Sequence, residues 1–218
     1  MSNKLVERQV ELQRLYLRNM QEIKWRIEAL DEIYSGKKTT RFFQTNVEFC
    51  VLQIRKVLEL IALSALVSDA DIYKEKLGKI EKMWNARLIL QDVERIHPDF
   101  YPQPIFIDPN DVYNWIDIKD GFLTKEQFIK IYDKCGKMLH ESSPFADYNS
   151  VQMESKQIWN EIPNWRTLIV KLLNTHIIKL YNQTDLFYIT MRDCKNGHPS
   201  GNIFSLVTEE KSNGQTET

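Results

Sequence analysis

Residues 42–67, FFQTNVEFCVLQIRKVLELIALSALV, constrain the fold more than any other stretch of the chain. They predict a helix from about Thr40 to Val67 that is apolar around most of its circumference. That is the pattern of a helix packed on several sides, not of one lying on a surface. A membrane span would also be apolar all round. Glu48, Arg55, Lys56 and Glu59 argue against a span, because each charge near a bilayer centre would cost about 2.5–3.5 kcal/mol. The stretch therefore reads as the buried helix of a cytoplasmic protein. Arg55 and Glu59 stand four apart and can pair on one face, which makes Arg55 a candidate binding residue.

A buried helix needs neighbours, and the chain provides them. Leu5, Leu12, Leu15, Tyr16, Met20, Ile23, Ile27, Leu30 and Tyr34 recur at helical spacing between alternating acids and bases, and Ser35-Gly36 closes that helix. Ser68-Asp69 can cap a further helix that runs to about Ile96 through Ile72, Leu77, Ile80, Met83, Trp84, Leu88, Leu90 and Val93. His97-Pro98 ends it, since the residue before proline avoids helical geometry. Another helix is expected from Tyr148 to about Asn174, with Pro163 marking a kink or break near 160–164. Only seven glycines and seven prolines in 218 residues suit long helices better than a strand-and-turn architecture.

The remaining segments are extended. Asp99–Asn110 carries Pro102, Pro104 and Pro109 among apolar residues and reads as a connector strapped across the bundle. Asp111–Phe122 has strand character and a turn at Asp120-Gly121. A calcium loop with Gly121 at its glycine position would place Ile116, Ile118 and Gln127 where carboxylates are needed, which excludes it. After Asn174, HIIKLY, LFYITMR and NIFSLV are β-branched and aromatic, separated by Asn182–Asp185 and by CKNGHPSG. The expected fold is mainly α. An up-and-down bundle of long helices occupies 1–174, a small C-terminal antiparallel β hairpin or meander at 175–208 packs on it, and 209–218 form a flexible tail.

Charge and cysteine usage narrow the function classes. A net charge of −1 lacks the basic surplus of a general nucleic-acid coat, although a local basic face remains compatible with it. Three widely spaced cysteines, Cys50, Cys135 and Cys194, read as free thiols in a reducing compartment. The N-terminal MSNKLVERQVELQRL has no apolar core of a secretory signal. No P-loop, GxGxxG, GxSxG, HExxH or CxxC is present, and the histidines and cysteines do not form a chelating set. No metal, cofactor or membrane partner is expected.

Chemistry concentrates in Thr124–Phe145, TKEQFIKIYDKCGKMLHESSPF. Thr124 followed by Gln127 is a capping-box start. Phe128, Ile131, Tyr132, Cys135, Met138 and Leu139 form one apolar stripe with Cys135 near its middle, so that thiol reads as core. His140 lies at the edge of the stripe, and Gly136 lies one turn before it on the same flank. An interior glycine costs about 1 kcal/mol relative to alanine, so something comes close beside it. His140 reads either as a packed histidine or as a general acid/base in a cleft.

A mostly helical chain with a late helix reading IYDKCGKMLH resembles the HEPN nucleotide-binding and ribonuclease superfamily. In that family a late helix carries an arginine, four to six residues, then a histidine, often after a tyrosine. Two such motifs meet across a dimer and cut RNA without metal. The resemblance covers about residues 40–175. Here the arginine's place holds Cys135 or Lys134, and His140 alone matches by type. The resemblance implies a homodimer that binds RNA, a nucleotide or a partner protein in a bacterial defence or toxin–antitoxin setting. In its catalytic version His140 would assist attack of a ribose 2′-hydroxyl, while Lys134 or Arg55 offsets the developing charge. In its silent version Arg55, Gly136 and Tyr132 would serve binding alone. The alternative is an unrelated helical interaction module in which Gly136 and His140 serve packing.

Overall fold

The computed structural model describes residues 3–68, 70–78, 85–108, 110–140, 145, 147–181 and 184–205. Within them lie six helices and five strands. The second helix, α2 (Phe43–Ser68), is the axis of the bundle, as its apolar circumference requires. It packs against α1 (Asn3–Tyr34), α3 (Ala70–Leu77), α4 (Ala86–Ile96), α5 (Lys125–Met138) and α6 (Tyr148–Leu173). Val47, Cys50, Val51, Ile54, Val57, Leu58 and Ile61 are its buried face. No described helix is long and apolar enough to cross a membrane.

α1 buries Leu12, Tyr16, Met20, Ile23, Ile27 and Leu30 and stops at Gly36, whose φ of 76° suits a residue without a side chain. Leu5 and Leu15, expected in its apolar stripe, are exposed. The single helix expected over 68–96 is two helices. α3 ends at Gly78 (φ 78°), and α4 starts anew at Asn85, whose side chain accepts from the backbone N–H groups of Arg87 and Leu88. The expected core positions Ile80, Met83 and Trp84 and the cap residue Asp69 lie outside the described residues. Ser68 closes α2 with its hydroxyl on the Ala65 carbonyl (3.0 Å). Of the kink or break expected near 160–164, the break does not occur: α6 continues through Pro163.

The strands form one antiparallel sheet of order β2-β1-β3-β4-β5. β3 (Thr175–Lys179), β4 (Asp185–Thr190) and β5 (Ser200–Ser205) are the expected C-terminal meander. The sheet is larger than that meander, however. β1 (Gln103–Asp108) belongs to the presumed connector and pairs with both β2 (Asp111–Asp117) and β3. A unit cut off at residue 174 would leave two of the strands behind. Prolines suggested an unpaired strap, but β1 meets β3 only at Gln103 and Pro104, so few hydrogen bonds depend on the missing N–H. Trp115 of β2 lies against Tyr188 of β4, tilted at a ring-centroid distance of 5.4 Å, and meets Phe204 of β5 edge to face at 5.1 Å. The flexible tail expected at 209–218 and Pro109 lie outside the described residues.

Polar groups lock the sheet to the bundle. His176 is fully buried and bonds to the Leu173 carbonyl through Nδ1 (2.8 Å) and to the Tyr16 hydroxyl through Nε2 (2.8 Å). A carbonyl only accepts, so Nδ1 carries the proton and Nε2 accepts from Tyr16. Burial pushes the His176 imidazole down to about 4, which keeps it neutral. Nearby, Asp185 accepts from Gln9 Nε2 (2.7 Å) and Ser205 Oγ (2.5 Å).

Candidate functional site

α5 starts where the sequence places it. Thr124 accepts from the Gln127 backbone N–H, and the Gln127 side chain returns the bond to the Thr124 N–H (3.0 Å). This fixes the rotation of the helix, so Phe128, Ile131, Tyr132 and Cys135 face α2 and are buried. Cys135 is core, and burial pushes its thiol up to about 12 although Arg55 and Lys134 pull the other way. A thiol held protonated at neutral pH is no nucleophile.

Along the α2–α5 seam, Arg55 reaches from α2 over the α5 surface. Its guanidinium carbon lies 4.4 Å from the centroid of the Tyr132 ring, and Nη2 donates to the Tyr132 hydroxyl (3.1 Å). Nε faces Glu59 Oε1 at 3.3 Å, the i,i+4 pairing legible in the sequence. Nη1 sits beside Gly136, 2.7 Å from where a Cβ there would be. The object that comes close to Gly136 comes from the neighbouring helix α2. It is the Arg55 side chain. The structure therefore brings together Arg55, Gly136 and Tyr132. Glu59 is shared with Lys56 (2.7 Å), so this corner carries two cations against one carboxylate.

His140 lies beyond the α5 cap residue Leu139, one turn after Gly136, and is exposed. It lines a separate groove of about 550 Å³ with Gln44, Glu48, Lys137, Glu154 and Ser155. Gln44 donates to Glu48 (3.0 Å), the buried Ser155 hydroxyl donates to Gln44 (2.7 Å), and Lys137 pairs with Glu154 (2.7 Å). Two carboxylates against one ammonium make the groove a poor seat for an anion.

Lys134 does not join His140. It pairs with Glu161 of α6 (2.6 Å), lies 5.9 Å from the Trp165 ring centroid, and lines a different cavity of about 250 Å³. Successive helix residues are about 100° apart, so the side chain of Lys134 leaves α5 on another side from Gly136 and His140. The expected catalytic pair is therefore split between two cavities. Among the described residues no group of three or more His, Cys, Asp or Glu is placed to hold a metal ion.

Several participants escaped the sequence reading. Glu161, Glu154 and Ser155 meet α5 or α2 only through tertiary packing and left no local signal. Gln44 and Glu48, by contrast, share a face of α2 with Arg55 and Glu59, at spacings of four, seven and four that a helical wheel registers. The basic-aromatic run KKTTRFF before α2 was also legible and went unweighed. In the comparisons with known proteins, no family model, curated protein or solved structure matches the chain.

Proposed function

We propose that this protein is a non-catalytic, HEPN-like binding protein whose α2–α5 seam holds a phosphate ester, as a nucleotide or as part of an RNA, through Arg55. The observation that carries the reading is the poise of the Arg55 guanidinium. Its carbon lies 4.4 Å from the Tyr132 ring centroid, Nε and Nη2 are spoken for, and Nη1 has no hydrogen-bond partner among the described residues. A guanidinium N–H makes a charge-assisted hydrogen bond to a phosphate oxygen, and a group already fixed by ring and carboxylate loses little freedom on binding. In the HEPN resemblance an arginine precedes the histidine on the same helix. Here an arginine from α2 occupies the flank of α5 one turn before His140, which supports a phosphate-binding role for that flank.

Catalysis has less support. Lys134 and His140 open into different cavities, and two carboxylates share the His140 groove. A developing phosphorane charge would meet repulsion there rather than preorganised donors.

The test combines binding and cleavage. Calorimetric titration with uridine monophosphate and with a short RNA should show binding to the wild type and at least tenfold weaker binding to Arg55→Gln. Incubation of mixed RNA with the protein, with and without chelator, should leave the RNA intact. Equal binding by wild type and Arg55→Gln would overturn the site. Cleavage that disappears in His140→Ala would overturn the non-catalytic reading.

A further inference from the structure

The loop between α1 and α2 and its surroundings form a second surface, independent of the seam. Residues 35–43, SGKKTTRFF, carry Lys37, Lys38 and Arg41 and no acid. Lys38 pairs with Glu32 (2.8 Å) at the surface, whereas Lys37 has no ion-pair partner among the described residues. Two phenylalanines follow: Phe42 is 62% exposed and Phe43 41% exposed. Exposed apolar residues are ordinary singly, but adjacent aromatics among cations are not.

The aromatics are backed and the loop is braced. Phe43 meets the edge of Trp159 of α6 (5.6 Å between centroids), and Trp159 stacks on Tyr34 at 4.6 Å. The Arg41 guanidinium carbon lies 5.7 Å from the Phe42 ring centroid. Asn46 accepts from the Thr40 N–H (2.8 Å) and the Thr40 hydroxyl (2.9 Å), and its amide donates to Thr39 (3.2 Å). Arg41 is held at φ 84°, the one described non-glycine residue with positive φ, its N–H on the Thr39 hydroxyl (3.0 Å). The braced loop keeps Phe42, Phe43 and the cations at the surface, so little ordering is left to be done on binding.

We infer that the Lys37–Phe43 loop is a platform for single-stranded nucleic acid, with Phe42 and Phe43 stacking bases and Lys37 and Arg41 engaging phosphates. Cations next to exposed rings suit unpaired bases on a phosphate backbone, whereas a duplex keeps its base faces hidden. A membrane surface is the rival partner for cations beside aromatics. It fits less well, because Phe43 is backed against Trp159, which leaves Phe42 as a single ring free to enter a bilayer. The inference extends the phosphate-ester reading of the seam, which lies about 18 Å further along α2.

The test titrates the full chain with fluorescently labelled oligo(U) and oligo(dT) dodecamers, with uridine monophosphate, and with phosphatidylcholine vesicles containing phosphatidylserine. Phe42→Ala should weaken dodecamer binding about tenfold, the scale of one lost base–aromatic stack, and leave monophosphate binding unchanged. Lys37→Gln with Arg41→Gln should flatten the slope of log affinity against log salt by about 1.4, two phosphate contacts on a single strand. Tighter binding of oligo(U) than of oligo(dT) would identify RNA as the physiological strand; equal binding would identify the shared backbone and bases. If the monophosphate fails to bind but the dodecamer still responds to Phe42→Ala, the seam reading falls and the platform stands. Dodecamer binding that is absent, or indifferent to Phe42→Ala, overturns the platform, as does vesicle binding that Phe42→Ala abolishes while neither dodecamer binds.

Discussion

The guanidinium of Arg55 occupies the space that a side chain at Gly136 would need. Nη1 comes within 2.7 Å of the position of a Cβ there. The two residues are far apart in sequence and on different helices, yet each explains the other. The glycine lets the arginine reach over the Tyr132 ring, and the arginine accounts for a glycine in the last turn of an otherwise well-formed helix.

Replacing that glycine should separate stability from binding. Gly136→Ala removes the entropic penalty of a helical glycine, a gain of about 0.5–1 kcal/mol. The new methyl group meets only the end of a flexible side chain, so the helix stays and Arg55 swings off Tyr132. The lost Arg55–Tyr132 contacts offset that gain, so thermal melting should show a nearly unchanged midpoint. Titration with uridine monophosphate should show weakened binding. A clear loss of stability would mean that Arg55 cannot move aside.

Tyr132 contributes a ring face and a hydroxyl to the same arrangement, and the two are separable. Tyr132→Phe keeps the face and loses the bond to Nη2, at a cost of about 1 kcal/mol in denaturant unfolding. Tyr132→Leu also loses the face beneath the guanidinium and should cost more and weaken ligand binding further. Lys134→Ala is the control. Its pair with Glu161 is substantially exposed, so stability should shift by no more than about 0.5 kcal/mol and monophosphate binding should not change. A Lys134→Ala variant that lost binding would return Lys134 to the site.

Buried His176 makes stability depend on acid. Its folded value of about 4 lies below the ordinary 6.5, so between these pH values the unfolded chain binds a proton that the folded one does not. The stabilisation is complete above about pH 6.5 and is lost progressively as pH falls toward 4, by roughly 3 kcal/mol in all. Denaturant titrations across that window should show the decline, and His176→Gln should flatten it. An equally steep decline in the variant would assign it to other groups.

The thiols should divide by burial. Cys50 and Cys135 are buried, with thiols pushed up to about 12, whereas Cys194 is exposed. A thiol reagent at pH 8 should modify Cys194 quickly and the other two only on unfolding, and Cys194→Ser should abolish the fast phase. Rapid labelling of Cys135 in the folded protein would contradict its place in the core.

Local physics made much of this protein legible from its sequence. The α5 start was readable because Thr124 and Gln127 satisfy each other's backbone within one turn. The centrality of α2 followed from its apolar circumference, and the C-terminal meander from β-branched segments between turns. A one-dimensional pattern also flagged Gly136 as crowded, because a helical glycine has a cost that something must offset. What crowds it was decided only by tertiary structure. The packing of α2 on α5 chose Arg55, and with it separated Lys134, held by Glu161, from His140. The same holds for β1, whose prolines spoke for a free strap until pairing with β2 and β3 placed it in the sheet. Sequence alone fixes which groups need partners within a turn or a strand. Which distant side chain becomes that partner depends on the packing of whole elements, and no local pattern encodes it.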